Sequence, residues 1–485
     1  MRLQTRTIQK LVGILFAFGG LFMLPEALLA YVDNDGTAIV FLLSFAIAFT
    51  VGIVLWYPAR NARHELKIRD GFLIVLSAWI AMVLCGALPF MLSEQPHMSL
   101  VDAIFEATSG LTTTGATVLS GLDTLPRSIL LYRQKLQWLG GMGIIVLAVA
   151  ILPLLKIGGM QLFRAETPGP MKDSKLTPRI TETAKTLWYI YLGLTIICAI
   201  SYYLAGMSGF DAIAHAFTTI STGGLSTHDA SIGYFDSALI ETITVVFILL
   251  SSFNFAIHFI AWRNASTLAY RVDPEIRALL MIIIAAASII TLYLYFFDVA
   301  NGFVESFRLG VFQTVSIVTG TGYGTAAFYT WPAFIPLFIM MLSFVGGCAG
   351  STTGGMKVIR MILIYKQGHR EIKRLIHPNA SFPIKVGGRT MSTRVVDAVW
   401  GFFALYIATF CLFSLALAAT GLDIVTSVST VAASINNLGP ALGQAGENYS
   451  SLNAAAKWIL SLAMIIGRLE VFTVLVLLTP DFWRD

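Results

Sequence analysis

Residues 318–323 read Val318-Thr319-Gly320-Thr321-Gly322-Tyr323: an aliphatic residue, a hydroxyl, two variable places and a glycine fifth. Three other stretches align with it without gaps. They are Leu111-Thr112-Thr113-Thr114-Gly115-Ala116, Ile220-Ser221-Thr222-Gly223-Gly224-Leu225 and Ile435-Asn436-Asn437-Leu438-Gly439-Pro440, recurring at intervals of about 100 to 120 residues. Each follows an apolar, Ser/Thr-rich run that begins at an acidic residue, Asp102, Asp211, Glu305 or Asp423. One such match would carry little weight, but four in the same setting are an internal repeat, the signal that takes precedence over local motifs.

The four tails lie in loops 93–135, 207–237, 299–330 and 421–454, each holding a run of 10 to 15 mostly uncharged residues. Such runs are too short to cross a bilayer, which takes ~20 apolar residues. Full spans are expected near 11–31, 37–56, 71–92, 136–155, 187–206, 238–261, 278–298, 331–364, 395–420 and 455–478. Half-length segments between full spans read as re-entrant helices, because non-helical backbone at membrane depth is tolerated only where it is buried in protein or lines a water-filled path. The expected fold is therefore an all-α polytopic membrane protein. Four tandem helix–pore loop–helix repeats (71–160, 186–265, 277–366 and 394–480) surround one pore, and residues 1–70 form an N-terminal two-helix addition.

Composition agrees. The 485 residues are 56% hydrophobic and 12% charged, where soluble domains carry roughly a quarter charged residues. The first apolar run, about Leu11 to Tyr31, lacks a small-residue cleavage site and reads as a span and not a signal peptide. The net charge of +5 does not point to nucleic acid, because the basic residues fall in short loops between apolar runs. By our count 26 of the 32 Lys and Arg lie on one side: before the first span, in 57–70, 156–186 and 262–277, in the nine-cation segment Lys357 to Arg394, and at Arg484. The positive-inside rule makes that side cytoplasmic, with both termini there. Cys85, Cys198, Cys348 and Cys411 have no metal-like or disulfide-like spacing, and the seven histidines are scattered. No convergent set of His, Cys and carboxylates points to an enzyme.

The repeated tail suits a cation. An ion entering a pore loses water, and rings of backbone carbonyls replace its hydration shell when several segments face one axis. Glycine allows the left-handed backbone this requires, and Thr, Ser or Asn side chains brace the loop from behind or add an oxygen. A short helix with its C-terminal end at such a ring favours a cation there. The acidic residue at each helix start is explained by capping alone. A secondary transporter coupling K+ or another solute to H+ or Na+ is the alternative, but it would show inverted repeats and intramembrane carboxylates. Here the repeats run in one orientation and acidic residues within spans are scarce.

These residues resemble the superfamily of Trk, Ktr and plant HKT potassium transporters, whose single chains hold four helix–pore loop–helix repeats. Thr319-Gly320-Thr321-Gly322-Tyr323-Gly324 also looks like a potassium-channel filter. The resemblance covers about residues 70 to 480, and the N-terminal helix pair makes it most similar to the bacterial Trk potassium-uptake membrane subunit. It implies a gated, K+-selective pore in the bacterial inner membrane, with K+ as the transported ion and no covalently bound cofactor. It assigns coordination to the carbonyls of Leu111 and Thr112, Ile220 and Ser221, Val318 and Thr319, and Ile435 and Asn436, with Gly115, Gly224, Gly322 and Gly439 completing the loops. Glycine at 115, where sodium-favouring members carry serine, implies preference for potassium, whereas Asn436, Asn437 and Pro440 depart from an ideal filter and imply modest selectivity. The resemblance also implies a homodimer and a cytosolic, nucleotide-binding RCK-type regulatory subunit.

Two further features stand out. Gly346-Gly347-Cys348-Ala349-Gly350-Ser351-Thr352-Thr353-Gly354-Gly355 interrupts the second span of repeat three, and its five glycines would cost about 1 kcal/mol each in a helix. Gly346, Gly350 and Gly354 recur every four residues, which fits a helix-packing face. The paired glycines and the hydroxyl run fit an unwound intramembrane loop, and the family has a gate in this place. A continuous helix over the 34 residues of the span 331–364 would reach about 51 Å, well beyond a ~30 Å hydrocarbon core. Arg468 lies in the last span, where a charge needs water or a partner. It reads either as half of a structural ion pair or, as the resemblance implies, as a positive charge beside the pathway beneath the filter. Glu470 points away from it on a helix. The segment Lys357–Arg394 fits contact with anionic lipid headgroups or docking of a regulator.

Overall fold

The structure, a computed structural model, describes residues 5–62, 68–143, 180–332 and 334–484. The N-terminal addition is α1 (Thr5–Leu21), α2 (Leu24–Asp33) and α3 (Ala38–Ala59). The expected span 11–31 is thus two helices, broken at Phe22–Met23, with Pro25 in the first turn of α2, where its missing N–H costs nothing. Small residues let α1 and α3 touch: a Cβ on Gly13 would lie 2.6 Å from the Trp56 nitrogen, and one on Gly52 2.5 Å from that of Ala17.

Four triplets follow, each an outer helix, a short pore helix and an inner helix. Repeat one is α4 (Ile68–Leu92), α5 (Leu100–Leu111) and α6 (Arg127–Gly141). Repeat two is α7 (Ile180–Leu204), α8 (Gly209–Ile220) and α9 (Ala238–Ser252), continued by α10 (Phe255–Arg263) and α11 (Leu268–Val272). Repeat three is α12 (Pro274–Phe296), α13 (Phe303–Val318) and α14 (Phe334–Leu342), then a non-helical stretch to α15 (Val358–Ile376). A hairpin, β1 (Lys385–Val386) and β2 (Arg389–Thr390), turns at Gly387 and Gly388, both left-handed. Repeat four is α16 (Thr393–Ala418), α17 (Ile424–Ile435), α18 (Ala454–Arg468), α19 (Val471–Leu478) and α20 (Pro480–Trp483).

The inner helices pack in rotation. Helix α6 rests on α8, α9 on α13, α14 on α17, and α18 on α5, so each inner helix covers the pore helix of the next repeat and the fourth closes on the first. Among the described residues three inner helices break, where the sequence implied a break in repeat three alone. The α9/α10 pair bends by 95° and α18/α19 by 111°. At the first bend the Asn254 side chain accepts from the Ala256 N–H at 2.9 Å, an N-cap that starts a new helix. At the second, Glu470 is left-handed with φ 61°. Among the described residues six helical segments, counting α1 and α2 together, are long and apolar enough to cross a membrane, or eight if each bent pair is one crossing. Ten crossings were expected: 331–364 is two shorter helices, and most of 136–155 lies outside the described residues, as do most of the expected loop 156–186 and the end of repeat one at 160.

Candidate ion pathway

The acidic residue at each pore-helix start is bonded at the cap, but only Asp423 is itself the N-cap; Ser99, Ser208 and Gly302 hold that place in the other three. Ser99 and Ser208 accept from the N–H of Asp102 and Asp211 and donate back to those carboxylates at 2.7 Å. Asp423 accepts from the Thr426 N–H at 3.0 Å, and Glu305 from the Asn301 N–H at 2.8 Å. At the opposite ends the four helices stop on Leu111, Ile220, Val318 and Ile435, the first residues of the four tails.

Every pore helix stops in the same way. The fourth residue of each tail donates its N–H five residues back: Thr114 to Ser109, Gly223 to Thr218, Thr321 to Ser316 and Leu438 to Ala433, at 2.8–2.9 Å. The third donates to Gly110, Thr219, Ile317 and Ser434 respectively. This paired bonding is the Schellman ending, and it requires a left-handed residue between. That residue is Thr113, Thr222, Gly320 or Asn437, with φ of 55°, 52°, 71° and 52°. The fifth places, Gly115, Gly224, Gly322 and Gly439, are left-handed again, with φ of 76–90°.

The tails touch one another in a closed ring. A Cβ built on Gly115 would lie 2.2 Å from the Gly223 carbonyl oxygen, one on Gly224 2.0 Å from that of Thr321, one on Gly322 2.0 Å from that of Leu438, and one on Gly439 2.6 Å from that of Thr114. In each case the glycine of one repeat sits against the fourth-place carbonyl of the next. Glycine is thus required twice, by its φ and by this approach.

The side chains of the second place serve as braces. Thr112 donates to the Thr108 carbonyl and meets the Thr114 hydroxyl, both at 2.7 Å, and Thr319 does the same with Val315 and Thr321 at 2.7 and 2.8 Å. Ser221 donates to the Thr218 carbonyl at 3.2 Å, and Asn436 is held by Ser343 at 2.9 Å and by the Tyr406 hydroxyl. Asn437 reaches across to the Thr114 hydroxyl at 3.0 Å, tying repeat four to repeat one. The first-place carbonyls face protein at three repeats. That of Leu111 lies against Gly140, where a Cβ would be 1.8 Å away, that of Ile435 lies against Gly467 (2.3 Å), and that of Ile220 accepts from the Thr352 hydroxyl at 3.1 Å.

Below the ring runs the non-helical stretch 343–357. Gly346, Gly350 and Gly355 are left-handed there, so the four-residue glycine spacing does not form a helical packing face. The stretch bonds to three repeats. Cys348 N–H donates to the Ser252 carbonyl at 2.9 Å, Gly355 N–H to the Asn436 carbonyl at 3.0 Å, and Ala349 N–H to the Glu275 carboxylate at 2.8 Å. Ser351 and Thr353 share a hydroxyl contact at 2.8 Å, and Thr353 accepts from the Gly347 N–H at 3.0 Å. A Cβ on Gly354 would lie 1.9 Å from the Asn436 carbonyl oxygen. The Lys357 ammonium, buried, folds back onto the Thr353 hydroxyl at 3.0 Å.

Arg468, at the end of α18, donates to the Thr352 carbonyl at 2.9 Å and to those of Gly140 and Gly141 at 2.6 and 3.1 Å. It therefore joins the stretch 343–357 to the end of α6. Glu470 pairs instead with Arg360 at 2.8 Å, and that guanidinium also lies 4.0 Å from the Phe402 ring centre. Sequence reasoning did not find Glu275, nor the fully buried pair of Arg133 and Glu106 at 2.8 Å. A glutamate inside an apolar run was the available signal for the second.

The family TrkH, described as cation transport protein, matches residues 38–484. The Trk system potassium uptake protein TrkH of Vibrio parahaemolyticus is 53% identical over 485 residues, covering 100% of both chains. The protein of the same name from Escherichia coli is 51% identical over 481 residues, covering 99% of each. Trk system potassium uptake protein TrkI of Halomonas elongata is 35% identical, covering 99% of this chain and 97% of its own. The crystal structure of the potassium transporter TrkH from Vibrio parahaemolyticus superposes with a TM-score of 0.91 at 51% identity, over 99% of this chain and 100% of that one.

Proposed function

The chain belongs to the TrkH family of cation transport proteins, and from that premise we propose that the ring of four tails is the filter of a potassium-uptake pore, gated by residues 343–357. It is a membrane transport protein, not an enzyme, that takes up K+ as part of a Trk system. The observation that carries the filter reading is the cyclic contact of Gly115, Gly224, Gly322 and Gly439 with the next repeat's carbonyls. Such a ring brings four tail backbones to one axis, where carbonyls substitute for the water that a cation sheds. The four pore-helix C-termini add partial negative charge at its lower end. Thr112, Ser221 and Thr319 contribute carbonyls while their side chains brace the wall, the Asn436 carbonyl adds its own when the Gly355 N–H that it holds here lets go, and the first-place residues Leu111, Ile220, Val318 and Ile435 border its lower rim.

In this reading the stretch 343–357 closes the path directly beneath. Gly346, Gly347, Gly350, Gly354 and Gly355 let it bend, Ser351 and Thr353 satisfy its backbone, Thr352 ties it to the Ile220 and Ser251 carbonyls, and Arg468 latches it while placing a positive charge beside the path. The bias of 26 in 32 cations supports a cytoplasmic position for the gate, for both termini and for the basic segment 357–394. That segment begins at the end of the gate, so a cytosolic nucleotide-binding regulator docked on it acts on the loop by pulling. A homodimer completes the assembly in the inner membrane.

The test is rubidium uptake into proteoliposomes at fixed membrane potential, with sodium as competitor. Gly115→Ser forces a side chain toward the Gly223 carbonyl at a left-handed position, so preference for rubidium over sodium should fall. An unchanged ratio in folded protein removes Gly115 from the filter, and uptake that requires a proton gradient replaces the pore with a coupled transporter.

A further inference from the structure

The fourth place of the tails is Thr114, Gly223, Thr321 and Leu438. Only repeat two carries glycine there, and its backbone does not demand it: Gly223 is absent from the left-handed positions that include Gly115, Gly224, Gly320, Gly322 and Gly439. The reason for the glycine comes from another repeat. Gln137, fully buried in inner helix α6 of repeat one, directs its side chain into the space that a residue-223 side chain would fill. A Cβ on Gly223 would lie 2.4, 2.5 and 2.7 Å from the Gln137 Cδ, Oε1 and Nε2 atoms.

The amide is bonded at both ends. Its Nε2 donates to the Gly223 carbonyl at 2.6 Å, and its Oε1 accepts from the Leu225 N–H at 3.1 Å. Those two groups belong to the peptide units on either side of Gly224, so neither unit can rotate without breaking a bond to Gln137. The Gly223 carbonyl is also the one against which Gly115 sits. One side chain therefore fixes the oxygen where the walls of repeats one and two meet.

We infer that Gln137 is a selectivity-determining positioning residue. It acts as a side chain lent to the second filter tail by the first repeat, and Gly223 is the vacancy that admits it. It touches no ion and works through the Gly223 carbonyl. A filter discriminates between a larger and a smaller dehydrated cation only while its oxygens hold their places, and glycine pairs such as Gly223-Gly224 are the least able to hold themselves. This inference rests on the ring being the filter.

The experiment compares variants of the full chain in proteoliposomes, reading the ratio of rubidium to sodium uptake beside folded yield. Gln137→Leu removes both hydrogen bonds with little change in volume. Losing one or both hydrogen bonds, worth about 1 kcal/mol each, corresponds to roughly a five- to thirtyfold fall in the ratio. Gly223→Thr alone should also lower it, because the new side chain displaces the amide. The pair Gln137→Ala with Gly223→Thr restores a resident side chain, as in repeats one and three, and should recover most of the ratio. A Gln137→Leu variant that folds and keeps the wild-type ratio, while Gly115→Ser shifts it, reduces Gln137 to packing and overturns the inference. If neither variant shifts the ratio, the filter reading fails beneath it. Should Gln137→Leu not fold, Gln137→Glu keeps the shape and the acceptor for Leu225 but sets an oxygen against the Gly223 carbonyl, and a wild-type ratio there is equally decisive against the proposal.

Discussion

Arg468→Ala should raise potassium flux, for two reasons that add. The guanidinium holds the gate through the Thr352 carbonyl at 2.9 Å, while two more of its hydrogen bonds run to Gly140 and Gly141 on a different repeat. Movement of the stretch 343–357 away from the path breaks the first of these. A hydrogen bond from a charged donor is worth about 1.5–3 kcal/mol, so its absence shifts the closed–open balance by roughly ten- to 150-fold toward open. The charge itself also opposes a passing cation, by about 2 kcal/mol at a separation of about 8 Å and an effective dielectric of about 20. Arg468→Lys divides the two effects, since lysine keeps the charge but lacks the planar fork that serves carbonyls in two places at once. It should leak through a loosened gate yet remain slower than the alanine variant once open. Rubidium flux into proteoliposomes gives the sum, and open probability and unitary current in planar bilayers give the parts. Unchanged or reduced flux through alanine-substituted protein that folds in normal yield would refute both the latch and the barrier.

Three further outcomes follow from the contacts described. Glu275→Ala removes the acceptor of the Ala349 N–H and should raise rubidium flux several-fold, whereas Glu275→Gln, which retains a carbonyl oxygen, should stay near wild type; equal behaviour of the two would sink the assignment. Arg133→Leu strands the fully buried Glu106 and should destabilise the fold by about 3–5 kcal/mol; thermal unfolding in detergent reads this, and addition of Glu106→Gln should recover part of it. A cysteine placed at Lys373, in the basic segment, should react with an impermeant thiol reagent only after cells are opened; labelling in intact cells would invert the topology.

What could be read in the sequence tracks how many independent demands fell on one residue type. The fifth place of the tails was legible because positive φ and the approach of a neighbouring carbonyl both require glycine at Gly115, Gly224, Gly322 and Gly439. The third place is equally left-handed but was invisible, because Thr113, Thr222 and Asn437 adopt that conformation without being glycine, held by the two bonds that end each pore helix. The same contrast separates the inner helices. Five glycines announced the interruption at 346–355, whereas the breaks at Asn254 and Glu470 rest on a single cap and a single left-handed residue. Buried charges escaped for a different reason. Arg360 and Glu470 are 110 residues apart in sequence, and nothing local to either names the other.

The ring of glycines has a direction. Gly115 presses on repeat two, Gly224 on repeat three, Gly322 on repeat four and Gly439 on repeat one, never the reverse. In a pore of four identical chains every lesion strikes all walls together, but here a single codon alters one quadrant and its strain is handed to the quadrant ahead. Genetic suppressors inherit that sense of rotation. A defect created at Gly322 should be relieved at Pro440, whose side chain lies in its way, and not at Thr321, which receives pressure from behind. The chain thus offers evolution four separately adjustable walls, provided that each change is answered by its downstream neighbour.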